Sequence, residues 1–130
     1  IELSNLVESC IPKKYNTGRS GATKVFQAIR IEVNHELEDL EEKLEKMSHT
    51  LKSGGRFVII TFHSLEDRAV KNVFKKLSTD CLCDKHSPIC VCHHKAEVKL
   101  INKKPIIPTE KEQIENKRST SAKLRIVEKI

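Results

Sequence analysis

Apolar residues recur every three or four positions at the start of the chain. This spacing predicts a short helix over residues 1–10, whose inner face consists of Leu3, Leu6, Val7 and Cys10. On that face Cys10 is expected to be a small buried hydrophobe. Pro12 follows the helix, and the polar run 13–21 is predicted to be a loop.

A second helical pattern follows this loop, with Thr23 as its expected cap. Its apolar positions continue in steps of two to four, and they are Phe26, Ile29, Ile31, Val33, Leu37, Leu40, Leu44, Met47 and Leu51. The pattern predicts one long helix, or two nearly collinear helices, ending before Gly54 and Gly55. A coiled coil has the same spacing, but the pattern is short, which favours packing on a domain core.

The segment after the glycines is a continuous apolar run from Phe57 to Ile60. Such a run is typical of a strand covered on both sides, as in an α/β sheet. Another helix is expected next, because Ser64 and Asp67 have capping-box spacing and an apolar stripe follows at Leu65, Ala69, Val73, Phe74 and Leu77. The turn 61–64 should therefore lie at the carboxyl end of the strand, where open α/β sheets bind ligands.

The last part of the chain alternates irregular and regular segments. Residues 79–95 are rich in Cys and His and are predicted to form a hairpin or loop, and a strand is then expected at Val98, Leu100 and Ile106. Thr109 and Glu112 have the spacing of a capped short helix that ends near Asn116. A final strand is predicted at Leu124 and Ile126, so the fold class is α/β.

Length and charge narrow the class of protein. The chain has 130 residues, enough for one ordinary domain, and a formal net charge of +6, which suits a polyanionic partner. It has no apolar stretch long enough for a membrane span and no secretory leader, so a cytoplasmic location without membrane attachment is predicted. Because the chain begins with Ile, truncation of a longer protein is expected.

Four of the five cysteines form two CxC pairs separated by six residues, and they are Cys81, Cys83, Cys90 and Cys92. Four soft ligands so close in sequence could surround one zinc ion. The usual structural zinc knuckle has CxxC rather than CxC, so disulfides under oxidation and free thiols are the alternatives.

Two groups of polar residues are candidates for function. His63 and Ser64 would face the ligand crevice, although a single His is often structural and Ser64 is also the expected helix cap. A serine hydrolase is disfavoured because the GxSxG motif is absent. Cations that could hold RNA phosphates, or form an ordinary basic surface, are Lys24, Arg30, Arg118, Lys123 and Arg125.

Several segments occur together in an order that points to a known family: ATKVFQAIRIEVNHELEDLEE, SGGRFVIITFHSLEDRAVKNVF, CLC with CVC, KKPIIPTEKE and SAKLRIVEKI. Through them the chain resembles the C-terminal part of the MraW/RsmH methyltransferases. The resemblance implies an enzyme that uses S-adenosylmethionine to methylate N4 of a cytidine in small-subunit ribosomal RNA. It also implies the C-terminal portion of a Rossmann-like methyltransferase sheet over residues 35–130 and the end of a helical RNA-recognition insertion over residues 1–34.

The same resemblance assigns roles to residues. The sequence TFHS at 61–64 is similar to the family's SFHS segment at the active-site end of the sheet, so His63 and Ser64 are expected to line the cytidine pocket. The family's glycine-rich cofactor loop and its acidic ribose-binding residue should precede residue 1. No cofactor-binding residue is therefore expected in this chain, and the chain alone should be inactive.

Two segments depart from the family's pattern. The family's HPAT(R/K) corresponds to SGATK at 20–24, and its NPRxRS corresponds to NKRSTS at 116–121. Both changes fall where contacts with RNA are expected. Two other functions therefore stay open, namely an RNA-binding module with a zinc-stapled hairpin and no catalysis, and a helical protein-interaction segment.

Overall fold

The computed structural model describes residues 1–12, 21–84, 87 and 89–130. The described chain divides into two compact units, Ile1–Glu38 and Asp39–Ile130. Most of the predicted loop 13–21 lies outside the described residues, as do three positions of the Cys- and His-rich segment, at 85, 86 and 88.

The described residues of the first unit form two helices, α1 (Glu2–Cys10) and α2 (Ala22–Asn34), which contact each other. The helix predicted over residues 1–10 is confirmed, but Cys10 is exposed, so its expected burial is wrong. The expected cap of α2 is also wrong, because the N-cap residue is Gly21, two residues before Thr23. A Cβ at Gly21 would lie 1.9 Å from Cδ1 of Ile11, so a small residue suits this close approach.

Of the two alternatives predicted up to Leu51, the single long helix is wrong and two separate helices are present. Helix α2 ends at Asn34, and α3 (Leu40–His49) begins in the second unit. Between them His35 and Asp39 have left-handed backbone angles, with φ of 51° and 54°. Both residue types adopt this conformation more readily than most, and it cannot continue a right-handed helix. Periodicity alone therefore does not reveal the break.

The second unit has its core between two helices and a sheet. Helix α3 packs against α4 (Ser64–Leu77), and α4 lies on the strands β1 (Arg56–Thr61), β2 (Val98–Leu100) and β3 (Lys123–Lys129). The rings of Phe57 and Phe74 stand 5.9 Å apart at 56°. The buried core side chains are Leu44, Val70, Val73, Phe74, Leu77, Val98 and Val127.

The three strands form a sheet in the order β1-β3-β2, with β3 antiparallel to both neighbours. Strands β1 and β2 therefore run in the same direction. Arg56 stands opposite Glu128 and Thr61 opposite Lys123, so the carboxyl end of β1 meets the beginning of β3. At the other end of β1, Gly54 has a φ of 77° and donates its N–H to the carbonyl oxygen of Lys129, at 2.8 Å.

Strand β1 is covered on one side only in this structure. Phe57 and Ile59 pack against the core, whereas Val58 and Ile60 are 50% and 54% exposed. The prediction of a strand covered on both sides is therefore wrong for the residues described. An unbroken apolar run shows that both faces are apolar, but it does not show what covers them.

The predicted elements after β2 are present. Ile106 forms an isolated bridge with Leu124, and Thr109 caps α5 (Glu110–Glu115) by accepting the N–H of Glu112. A 3-10 helix, Lys117–Ser121, then leads into β3. Among the described residues, no helix is long and apolar enough to cross a membrane.

Candidate functional site

The turn Thr61–Ser64, called here the TFHS turn, joins the end of β1 to the beginning of α4. Thr61 is buried, and its hydroxyl donates a hydrogen bond to the carbonyl oxygen of Lys123, at 3.4 Å. This contact fixes the turn against the first residue of β3. The expected position at the carboxyl end of the strand is confirmed.

His63, rather than Ser64, caps helix α4. Its backbone is extended, and its Nδ1 accepts the N–H of Glu66 at 3.4 Å. The Glu66 carboxylate in turn accepts the N–H groups of Phe62 and His63, at 2.8 and 3.1 Å. The capping box is therefore His63 with Glu66, one residue before the predicted pair. Sequence spacing missed it because His is not among the preferred caps.

The side chains of the TFHS turn differ in their exposure to solvent. The His63 side chain is only 8% exposed and its Nε2 lies 3.3 Å from Oε1 of Glu66. Ser64 is exposed, and Phe62 is 53% exposed. The accessible groups are thus an aromatic ring and a hydroxyl, with the imidazole beneath them. Phe62 was not predicted as a site residue, although an aromatic residue in a polar strand-to-helix turn is a recognisable signal.

Asp67, the residue predicted to complete the capping box, makes a buried ion pair instead. Its carboxylate accepts from Nε and Nη2 of Arg125, at 2.7 and 3.1 Å, and Nζ of Lys123 lies 3.4 Å away. The Arg125 guanidinium holds the pKa of Asp67 below its ordinary value, although burial acts in the opposite direction. This pair fastens the first turn of α4 to β3.

The predicted RNA-binding cations fall into different environments. Arg125 is 9% exposed and already bound to Asp67, so it is not accessible to a phosphate, and that prediction is corrected. Arg118, in the 3-10 helix, is exposed, and the Lys123 side chain is 40% exposed. In the first unit, Lys24 is exposed and Arg30 makes a two-bond ion pair with Glu36, at 2.9 and 3.1 Å.

A basic cavity of about 150 Å³ lies beside α4. No sequence pattern indicated this cavity, because its walls come from three separate segments. The lining residues are Lys71, Phe74, Lys75, Leu100, Asn102, Lys103 and Arg125.

The four cysteines of the two CxC pairs converge. Their sulfur atoms all lie within 4.8 Å of one another. The Cys90 sulfur is 3.5 Å from that of Cys81, 3.6 Å from that of Cys92 and 4.0 Å from that of Cys83. The structure therefore brings together all four predicted ligands. The fifth cysteine, Cys10, belongs to the other unit.

Main-chain N–H groups point at this cluster. The N–H of Leu82 lies 3.3 Å from the Cys92 sulfur, and that of Val91 lies 3.4 Å from the Cys83 sulfur. The N–H groups of His94 and Leu82 lower the pKa of Cys92 to about 6.

The pKa of Cys81 shifts in the opposite direction from that of Cys92. The Cys83 N–H lowers its pKa, but hydrogen bonds with the neighbouring thiols outweigh this effect and raise the pKa to about 12. One thiolate forms easily in the cluster, whereas several like charges so close together need a compensating cation.

Comparison with known proteins identifies the family. The profile described as the MraW methylase family matches residues 1–130. The chain belongs to the MraW methylase family. The resemblance to the MraW/RsmH methyltransferases is therefore confirmed at the level of the family.

Three relatives of this MraW-family chain are each described as ribosomal RNA small subunit methyltransferase H. Those from Caldicellulosiruptor saccharolyticus and Clostridioides difficile are 54% and 52% identical to it, each over 99% of this chain. The relative from Carboxydothermus hydrogenoformans is 50% identical over 100% of the chain. The chain spans about 42% of the length of each relative.

Proposed function

We propose that this chain is part of a methyltransferase that transfers a methyl group from S-adenosylmethionine to N4 of a cytidine in small-subunit ribosomal RNA. The observation that carries the proposal is the match to the MraW methylase family over residues 1–130. The relatives' description as small-subunit ribosomal RNA methyltransferases supports the substrate class. The atom and base that are methylated follow from the resemblance alone.

In this proposal the chain supplies the acceptor side of the reaction. S-adenosylmethionine brings an already activated methyl group, so the protein mainly has to orient the accepting nitrogen. The exposed Phe62 ring would stack on the cytosine, and the exposed Ser64 hydroxyl would form a hydrogen bond with it. His63 would act as a positioning residue, because its imidazole is engaged with Glu66 at the helix cap.

Accessible cations would hold the RNA backbone. Arg118 lies in the 3-10 helix and Lys123 comes two residues after its end, opposite Thr61 in the TFHS turn. Phosphate contacts of this kind position an RNA without reading its sequence. Lys24 and Arg30 would contribute from the helical unit, whereas Arg125 stays with Asp67.

The cofactor-binding residues would come from the remaining length of the protein. A sharp test is a chimera in which this chain replaces the matching segment of the Caldicellulosiruptor saccharolyticus relative. With isotopically labelled S-adenosylmethionine and small-subunit RNA, we expect the chimera to transfer methyl groups to cytidine N4, as detected by nucleoside mass spectrometry. The 130-residue chain alone should transfer none.

Two results would contradict this proposal. A folded chimera without activity, alongside an active relative, would show that this chain cannot support the reaction. Methylation at another atom would exclude the cytidine N4 assignment. If the chain binds RNA in a salt-dependent manner and the chimera transfers nothing, an RNA-binding module without catalysis would be the better description.

A further inference from the structure

We propose that Cys81, Cys83, Cys90 and Cys92 form a closed four-thiolate zinc site that joins the carboxyl end of α4 to the beginning of β2. The site concerns folding rather than methyl transfer. It therefore stands independently of the function proposed above.

The sulfur spacing matches a single tetrahedral ion. Zinc–sulfur bonds of about 2.3 Å place tetrahedral sulfurs about 3.8 Å apart. The Cys81 sulfur lies 3.5 Å from that of Cys90 and 3.7 Å from that of Cys92, and Cys83 completes the group at 4.0 Å from Cys90. Four sulfurs at this spacing surround a point that each could reach with one bond.

Main-chain N–H groups of each CxC pair form hydrogen bonds with a sulfur atom of the other pair. In each CxC pair, the residue after the first cysteine donates its N–H to the second cysteine of the other pair. Thus Leu82 donates to the Cys92 sulfur and Val91 to the Cys83 sulfur. Such N–H groups stabilise thiolate ligands from outside the coordination sphere. The two CxC pairs are therefore equivalent in their main-chain hydrogen bonds to sulfur. This arrangement explains how a CxC pair can take the place of the commoner CxxC pair.

The described part of the segment around the cysteines has no buried core of its own. None of the described residues from 79 to 95 is buried, and its apolar side chains Leu82, Ile89 and Val91 are 46%, 74% and 74% exposed. A segment without its own core is commonly held by a metal or by disulfides. The free, converging thiols favour the metal.

The connections at both ends show what the ion would hold in place. Glu97 donates its N–H to the carbonyl oxygen of Leu77 at 2.8 Å, and Ala96 donates to Oδ1 of Asp80 at 3.3 Å. The His94 ring lies 2.9 Å from the carbonyl oxygen of Lys76. These bonds close the base of the loop, and the ion would close its far end. Four protein ligands leave no open position, so the site would be structural.

Metal analysis of the full 130-residue chain, purified without oxygen from zinc-supplied cells, tests the proposal. We expect one zinc per chain in the wild type. Cys90→Ser should reduce this to less than about one-tenth, because a structural zinc site requires all four ligands. Cys10→Ser is the matched control, since Cys10 is exposed and lies in the other unit, and it should retain one zinc.

Cobalt substitution supplies a readout of geometry. Replacing the zinc with Co²⁺ should give the strong visible absorption and sulfur-to-metal charge transfer of a tetrahedral thiolate site. If Cys90→Ser does not fold, a chelator titration of the wild type replaces it, and the melting temperature should fall as zinc is removed.

Three outcomes would overturn the proposal. One is folded wild-type protein with less than about one-tenth equivalent of zinc and a melting temperature unaffected by chelator. Another is a mass lower by two or four hydrogens, which would indicate disulfides. The third is bound iron in place of zinc under the same conditions.

Discussion

The TFHS turn and the cysteine loop, residues 79–95, both carry candidate chemistry, but different forces hold them. The turn is fixed by the fold, through the Thr61 hydroxyl, the cap between His63 and Glu66, and the Asp67–Arg125 pair just beyond it. The cysteine loop has no buried residue among those described. Its order depends on its side chains and on the hydrogen bonds at its base.

This difference predicts two kinds of response to mutation. Changes around the turn should alter the stability of the whole second unit, because its contacts connect α4 to β3. Changes in the loop should act mainly within the loop and lower the melting temperature of the unit much less, because the loop adds little to the core. The predictions below test that distinction, beginning with the largest expected effect.

The first prediction concerns the buried ion pair. Arg125→Ala leaves the almost buried Asp67 carboxylate with the longer Lys123 contact, at 3.4 Å, so we expect a loss of about 3 kcal/mol in unfolding free energy. Urea unfolding followed by circular dichroism measures it. Lys123→Ala is the control and should cost less than about 1 kcal/mol, because the Lys123 side chain is 40% exposed.

Acid should lower the stability of the protein through the same pair, Asp67 and Arg125. Because Arg125 lowers the pKa of folded Asp67, the pair stabilises the protein fully above the unfolded carboxyl pKa of about 4. That contribution disappears as the pH falls through the lower folded pKa. Arg125→Ala should lack this part of the acid dependence. Equal stability of wild type and variant at neutral pH would contradict the assignment.

The second prediction concerns metal removal from the cysteine loop. With a chelator present, amide hydrogen exchange at Ala96 and Glu97 should become about tenfold faster, since the loop would open locally. Exchange at Asp67, whose N–H bonds to the carbonyl oxygen of His63, should hardly change. Equal acceleration at both places would show that the loop and the turn open together.

The third prediction separates capping from chemistry at His63. His63→Ala should destabilise the unit by about 1 kcal/mol, whereas His63→Asn should recover most of that loss, because Asn is a preferred cap. Thermal unfolding gives both values. If His63 only positions the turn, the Asn variant of the chimera should also recover methyl transfer. A stable but inactive Asn variant would instead indicate that the imidazole contacts substrate.

How far the sequence could predict this molecule depends on the kind of signal. Strands β1 and β3 and helix α4 were predicted because their apolar patterns coincide with the core. The grouping of the four cysteines could be predicted because they are close in sequence and share one chemistry.

The errors arose from contacts between distant residues. The Asp67–Arg125 pair joins positions 58 residues apart, so neither partner indicated the other. The break at His35 and Asp39 depends on backbone angles that helical periodicity does not record. The cap was displaced by one residue because Ser64 and Asp67 matched the usual residue types better than His63 and Glu66.

The last prediction has almost no expected effect on stability and tests the turn as a site. Ser64 is exposed at the first position of α4, so Ser64→Ala should change the unfolding free energy by less than about 0.5 kcal/mol. Loss of one hydrogen bond to the cytosine should nevertheless lower kcat/KM of the chimera about tenfold. Ser53→Ala is the matched control, because Ser53 is exposed before the opposite end of β1 and should leave both values unchanged. Full activity of the Ser64 variant would remove this hydroxyl from the proposed pocket and leave Phe62 as the exposed group to test next.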